Sequence, residues 1–272
     1  MVGVGIIGCG AIGSEIALAV CDGKAPGASL VGLLDQEQNR AISLTKRLRH
    51  PVPTFATIAP FVATPGLQMV VECASPTLVR ACAEDILLAN KDLLVMSSGA
   101  MADITLFERL SKIAVEQGRR LLIPSGAIGG IDAIRAARDH LEQVTLTTTK
   151  PPRGLSGSPG FRPWEDTNLD KAQVIFEGSA IKAIELFPAN INVAITLSLA
   201  GIGPHRTNVK IIADPTATVN IHEIHAIGDF GDIRITLRNK PHPRNAHTSH
   251  LAVLSAIEIL RVNCSDGARI GT

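Results

Sequence analysis

A chain of 272 residues is long enough to bury an extensive core and to divide into two domains. Its 26 Lys and Arg against 25 Asp and Glu, with no block of like charge, give no electrostatic footprint for nucleic acid or an anionic membrane, so a small-molecule partner is expected. The hydrophobic 46% includes no Tyr, one Trp and seven Phe, and such an aliphatic core suits parallel strands covered on both faces.

Residues 2–7 read as a first strand that runs at once into Gly8-x-Gly10-x-x-Gly13, and Ile12, Ile16 and Val20 continue as a helical apolar stripe. Strand, glycine turn and helix in this order form a dinucleotide-binding fingerprint. Gly8 permits the tight turn, Gly10 lets the backbone approach a pyrophosphate, Gly13 lets the helix pack on its strand, and Ala11 and Ile12 open the helix whose N-terminus faces the phosphates. The next apolar run, residues 29–34, ends in Asp35, about twenty residues beyond Gly13, where a carboxylate meets an adenosine ribose. Its neighbours are Gln36, Glu37 and Gln38, so the charge pattern favours NAD; Arg40 is near enough to keep NADP open.

A polar helix over residues 38–49 precedes a strand at 69–73, a helix at 77–89 with Pro76 suited to its first turn, a strand at 93–97, a helix at 104–117 and a strand at 120–124. This alternation implies a parallel sheet with right-handed crossovers. Ligands bind beyond the carboxyl ends of such strands, and Cys73, Ala74 and Ser97 border that crevice. No cation adjoins Cys73 to favour a thiolate, so its side chain reads as a small hydrophobe without catalytic use.

Beyond residues 126–130 the grammar changes. A helix at 131–140 and a strand at 144–149 lead into a loop rich in Pro, Gly and Ser at 151–163. Helices are expected at 169–175, 180–187 and 190–200, strands at 208–213, 218–226 and 232–237, a proline- and histidine-rich segment at 239–249, and a last helix at 248–262 that returns to the first domain. The expected fold is α/β: an N-terminal Rossmann-type doubly wound parallel sheet (residues 1–125 plus 246–272) with a second α+β domain (residues 126–245) that carries the substrate site and dimerisation. The five cysteines are odd in number and lack CxxC spacing, so neither disulfides nor zinc are expected. With no signal-peptide pattern and no apolar run of about 18 residues, a cytoplasmic protein is expected.

Along residues 219–224, alternation puts Asn220, His222 and Ile224 on one face and Val219, Ile221 and Glu223 on the other. His222 has the chemistry of a general acid or base, yet a histidine in an apolar strand is more often a satisfied core residue, and residue physics leaves both readings open. His225 on the opposite face argues against a two-histidine metal site, and no metal is expected. Lys150 and Arg153 are suited to hold a carboxylate or to serve as ordinary surface charge. Asn190 and Asn192 at a helix start exceed what one cap needs, so at least one is expected to contact cofactor.

Gly8 to Gly13 (GCGAIG), residues 124–130 (PSGAIGG), residues 187–194 (FPANINVA) and Asp214-Pro215 through Asn220-Ile-His222 together resemble the L-aspartate dehydrogenase family, over nearly the whole chain. The resemblance implies reversible NAD(P)-linked oxidative deamination of L-aspartate through iminoaspartate to oxaloacetate and ammonia, with iminoaspartate also a precursor for NAD synthesis, and a homodimer. His222 falls on the family's catalytic histidine, and Ala127 and Asn192 on cofactor-contacting positions, with Asn190 beside them. The substrate's two carboxylates need cationic or amide partners, for which Asn220 and Lys150 are candidates. Near the last helix the family resembles Asn-Pro-Lys-Thr-Ser, whereas this chain has Asn245-Ala-His-Thr-Ser249. His247 thus replaces a permanent cation, which bears on substrate affinity and its pH dependence, while Thr248 and Ser249 remain as donors. The competing readings are another two-domain reductase, of the dihydrodipicolinate reductase or homoserine dehydrogenase type, and a non-catalytic dinucleotide-sensing protein. The His-His-x-x-Lys motif of the first is absent.

Overall fold

A computed structural model describes residues 1–188, 191–267 and 270. They form two compact units, Met1–Pro124 with Val253–Ile270, and Ser125–Ala252.

The first unit alternates strand and helix: β1 (Val2–Ile7), α1 (Ala11–Cys21), β2 (Ala28–Leu34), α2 (Gln38–Thr45), β3 (Thr54–Phe55), α3 (Ile58–Val62), β4 (Leu67–Glu72), α4 (Pro76–Leu88), β5 (Asp92–Val95), α5 (Ile104–Glu116) and β6 (Leu121–Leu122). All strand pairs are parallel, in the order β3-β2-β1-β4-β5-β6. The chain builds outward from β1 to β3, then returns to β4 and builds the other way. The order therefore reverses between β1 and β4, and the crevice of such a sheet lies beyond the carboxyl ends of these two strands.

Local chemistry explains the helix starts. Ser75 caps α4 by accepting from the Leu78 amide at 3.2 Å, with Pro76 in the first turn, and Asp103 caps α5 by accepting from the Leu106 amide at 3.0 Å. The short pair β3 and α3, absent from the sequence reading, follows Pro51 and Pro53, which mask so brief an element as a loop.

In the second unit α6 (Ile131–Ala136) and β7 (Leu141–Lys150) are followed by two 3₁₀ turns where a plain loop is expected, then β8 (Gln173–Ser179), α7 (Ala180–Leu186), α8 (Asn192–Ala200), β9 (Asn208–Ala213), β10 (Asn220–Gly228), β11 (Gly231–Asn239), β12 (Pro241–His242), β13 (Asn245–Ser249) and α9 (His250–Cys264). The main sheet runs β11-β10-β7-β9-β8, with β7 and β9 parallel and the other pairs antiparallel. Alternate residues of β10, from Asn220 to Ala226, are buried, as are Val144, Leu146, Thr148 and Lys150 of β7. The register sets His222 opposite Thr148 and Ile224 opposite Leu146, so both series share one covered face.

Two expectations are corrected. The helix at 169–175 is replaced by the edge strand β8, whose register against β9 slips between Val174 and Phe176. The extra residue, Ile175, bulges out of step and erases the two-residue period by which a strand is read. The proline- and histidine-rich segment is a hairpin, with Pro241 opposite Ser249 and His242 opposite Asn245. Because β13 pairs with β12, the return to the first unit comes at Val253, inside α9, and not at residue 246. From there Val253, Ala256, Ile257 and Leu260 join Val4, Ile6, Ile16 and Val20 in one aliphatic cluster. Among the described residues no helix is long and apolar enough to cross a membrane.

Candidate active site

The glycine turn is the candidate site of the first unit. Gly8 has φ +90, and a Cβ there would lie 2.8 Å from the Cys73 carbonyl, so neither the turn nor the neighbouring strand leaves room for a side chain. A Cβ on Gly13 would lie 1.8 Å from the Gly8 carbonyl oxygen, which records how closely α1 crosses its own strand. Gly10 is different: a Cβ there would meet nothing within 4 Å. The absence of a side chain at Gly10 thus opens space on the ligand side, at the N-terminus of α1, where no side chain caps the helix. These features fit a dinucleotide pyrophosphate.

The contrast is testable. Gly13→Ala is expected to destabilise the fold by about 3 kcal/mol or more, as overpacking against fixed backbone does. Gly10→Ala should leave Tm unchanged and raise the Kd for NADH by about tenfold or more, as calorimetric titration would read.

Asp35, directly after β2, is buried, and its carboxylate accepts from the Cys9 amide at 2.7 Å and the Glu37 amide at 2.8 Å. One side chain therefore ties the glycine turn to the end of β2. Burial and the neighbouring Asp35 push the Cys9 thiol up to about 12, and burial raises the Cys73 thiol well above its ordinary value. Neither is a nucleophile at neutral pH.

Glu72, the last residue of β4, was not singled out from sequence. It is 1% exposed and accepts from the Ala74 amide at 2.7 Å, the Ser75 amide at 2.9 Å, and the Ser97 amide and hydroxyl at 3.1 and 2.9 Å. The structure thus gathers Gly8, Gly10, Ala11, Ile12, Gly13, Asp35, Cys73, Ala74 and Ser97 around the carboxyl ends of β1, β2, β4 and β5.

In the second unit, a separate cluster lies on the covered face of the sheet. His222 is 2% exposed, and its Nδ1 lies 3.0 Å from the Thr148 hydroxyl. Burial, reinforced by the Lys150 ammonium, lowers the imidazole pKa to about 3, so the ring is neutral. Lys150 is itself 4% exposed, and burial lowers its pKa to about 8. Continuing the β7–β10 register places Lys150 beside Asn220. The Asn220 side-chain amide donates to the Ser249 hydroxyl at 3.2 Å, and both residues are buried. A cation, an imidazole, an amide and two hydroxyls therefore line one face, a set that can bind carboxylate and pass a proton.

Ala127 is buried, and its carbonyl accepts from the Asn239 side-chain amide at 2.7 Å. Thr148 and Asn239 carry no local signal, since their partners come from cross-strand pairing and from a distant loop. Thr248 accepts from Asn245 Nδ2 at 3.3 Å. Asn192 is the first residue of α8 and is exposed, with Ile191 in the cap position. Asn190 and the side chain of His247 lie outside the described residues. Arg153 is exposed and takes the surface reading, whereas Lys150 does not.

Comparison with known proteins covers both units. Residues 132–263 match the profile "Aspartate dehydrogenase, C-terminal", and residues 8–124 match "Homoserine dehydrogenase, NAD binding domain". The chain is 40% identical to L-aspartate dehydrogenase of Nitrosopumilus maritimus over 272 residues, 99% of both chains, and 43% identical to that of Methanosarcina mazei over 264 residues, 96% of both. The crystal structure of aspartate dehydrogenase from Thermotoga maritima superposes with a TM-score of 0.77 at 28% identity and full coverage of both chains. With both halves matched and relatives at this identity spanning its length, the chain belongs to the L-aspartate dehydrogenase family.

Proposed function

We propose that this protein catalyses the reversible oxidative deamination of L-aspartate, through iminoaspartate, to oxaloacetate and ammonia. The observation that carries this reading is the buried imidazole of His222, hydrogen-bonded to Thr148 and flanked by the buried ammonium of Lys150, within the unit that matches the aspartate dehydrogenase C-terminal profile. Lys150 pairs with one substrate carboxylate, and Asn220, Ser249 and Thr248 offer neutral donors to the other. In the tautomer whose Nδ1–H donates to the Thr148 hydroxyl, the Nε2 of His222 is the nitrogen that accepts a proton from the substrate amine or from the water that hydrolyses the imine. Burial is the main cause of the depressed imidazole pKa and the Lys150 charge the smaller one, so a carboxylate bound to Lys150 would relieve only the smaller part of the depression. The dinucleotide, when bound, supplies hydride acceptance from Cα. Gly8, Gly10, Ala11, Ile12 and Gly13 would hold its pyrophosphate and Asp35 its adenosine ribose, with Cys73, Ala74, Ser97, Ala127, Asn190 and Asn192 as further contacts.

We infer a preference for NAD over NADP. The fixed carboxylate of Asp35 would repel a 2′-phosphate, and Arg40, the cation that would favour one, is paired with Glu37 at 2.8 Å. The same reading assigns a cytoplasmic homodimer that feeds pyridine nucleotide biosynthesis; all five cysteines are free thiols.

Initial rates of NADH oxidation test the proposal. Oxaloacetate with ammonium should exceed pyruvate or 2-oxoglutarate with ammonium by about tenfold or more in kcat/KM, because only oxaloacetate engages both carboxylate sites with the right spacing. Absence of signal above background with oxaloacetate would reject it, and a higher kcat/KM with NADPH would reject the cofactor preference.

A further inference from the structure

A dinucleotide has two ends, and Asp35 at the end of β2 takes the adenosine end. With the glycine turn after β1 on the pyrophosphate, the second nucleoside must run to the other side of the switch point, over the loops that follow β4 and β5. These two loops share one carboxylate. We infer that Glu72 is the positioning residue for the nicotinamide half of the cofactor, acting through the loops it holds, an assignment that rests on the dinucleotide reading above.

The geometry behind this is specific. Oε1 of Glu72 accepts the Ala74 and Ser75 amides of its own loop and the Ser97 hydroxyl of the next, while Oε2 accepts the Ser97 amide. Every neighbour is a donor, so the carboxylate is the one side chain of this size whose oxygens can all be used. An acid buried to 1% is costly in the absence of such bonds, and burial does raise its pKa despite them. An apolar residue in the last position of β4 would carry no such cost and would leave the amides of both loops without their acceptor. Glu72 itself is too buried to touch the cofactor. It sets where Ala74 and Ser97 stand, and those residues border the crevice.

Glu72→Gln separates this role from general stability. The amide keeps the shape but turns an NH2 toward a neighbouring N–H, which replaces one hydrogen bond with a donor–donor clash and displaces one loop. Titrations of the full protein with NADH and with ADP-ribose, which lacks the nicotinamide ring, read the two ends separately and need no turnover. The Kd for NADH should rise about tenfold while that for ADP-ribose changes less than about twofold. Equal loss for both ligands, or no loss for either, would overturn the assignment. If the Gln variant does not fold, Glu72→Asp reads the same split: it keeps the charge but withdraws the carboxyl from Ser97, and a selective loss of about threefold for NADH is expected. Here too, equal changes for both ligands would overturn it. Because the readout is binding, failure here is distinguishable from failure of the aspartate reading, which only the keto-acid panel tests.

Discussion

Replacing His222 with Ala is expected to lower kcat by about 10²- to 10⁴-fold while leaving the Kd for NADH within about twofold of wild type. The expectation follows from where the imidazole is anchored. Its Nδ1 is engaged by Thr148 on the neighbouring strand, so the ring is held in one orientation by the second unit's sheet, whereas the glycine turn belongs to the first unit. His222→Asn, which can still bond Thr148 but has no titratable nitrogen, should be as inactive as the Ala variant. If either variant keeps wild-type turnover, His222 is a packed core residue and the proton passes elsewhere. Parallel loss of NADH affinity and turnover would mean that the substitution damages the fold.

The second large effect concerns Lys150, and it runs in opposite directions for activity and stability. Lys150→Met should reduce kcat/KM for oxaloacetate by about a hundredfold, since it removes the cation on this face of the sheet. Removing it should also stabilise the protein. A lysine holds its proton to about 10.5 in the unfolded chain but releases it near 8 when buried here. Between these values the unfolded state binds more protons, so stability rises with pH across that window, and below pH 8 the full cost of about 3 kcal/mol stands. At pH 7 the Met variant should therefore melt several degrees higher, an advantage that disappears as the pH passes 10. Inhibition of the wild-type enzyme by succinate, an unreactive dicarboxylate, should weaken as the pH rises through 8, and Lys150→Arg should flatten that profile. A Met variant that melts lower than wild type, or succinate inhibition independent of pH between 7 and 9, would contradict the assignment of Lys150.

What could be read from sequence follows the range of the interactions involved. The glycine turn, Asp35 and the first strands were legible because each is set by neighbours in the chain, and the shared face of Asn220 and His222 followed from the two-residue period of a strand. Thr148 was not legible as the partner of His222, because 74 positions separate them and only the β7–β10 register brings them together. Lys150 left two readings open for the same reason: a lysine after a strand is normally solvated, and its burial depends on the fold around it. Glu72 resembled any strand-end carboxylate until both loops were seen to converge on it. The β8 strand was hidden by its bulge, a local irregularity that defeats pattern reading.

The most direct test is a crystal structure of the protein with NADH and succinate. Succinate should lie on the covered face of the second unit's sheet, one carboxylate within about 3 Å of the Lys150 ammonium and its methylene carbons in contact with His222 Nε2, at about 3.5 to 4 Å. Succinate bound elsewhere, with the His222 ring still enclosed and out of its reach, would contradict the account.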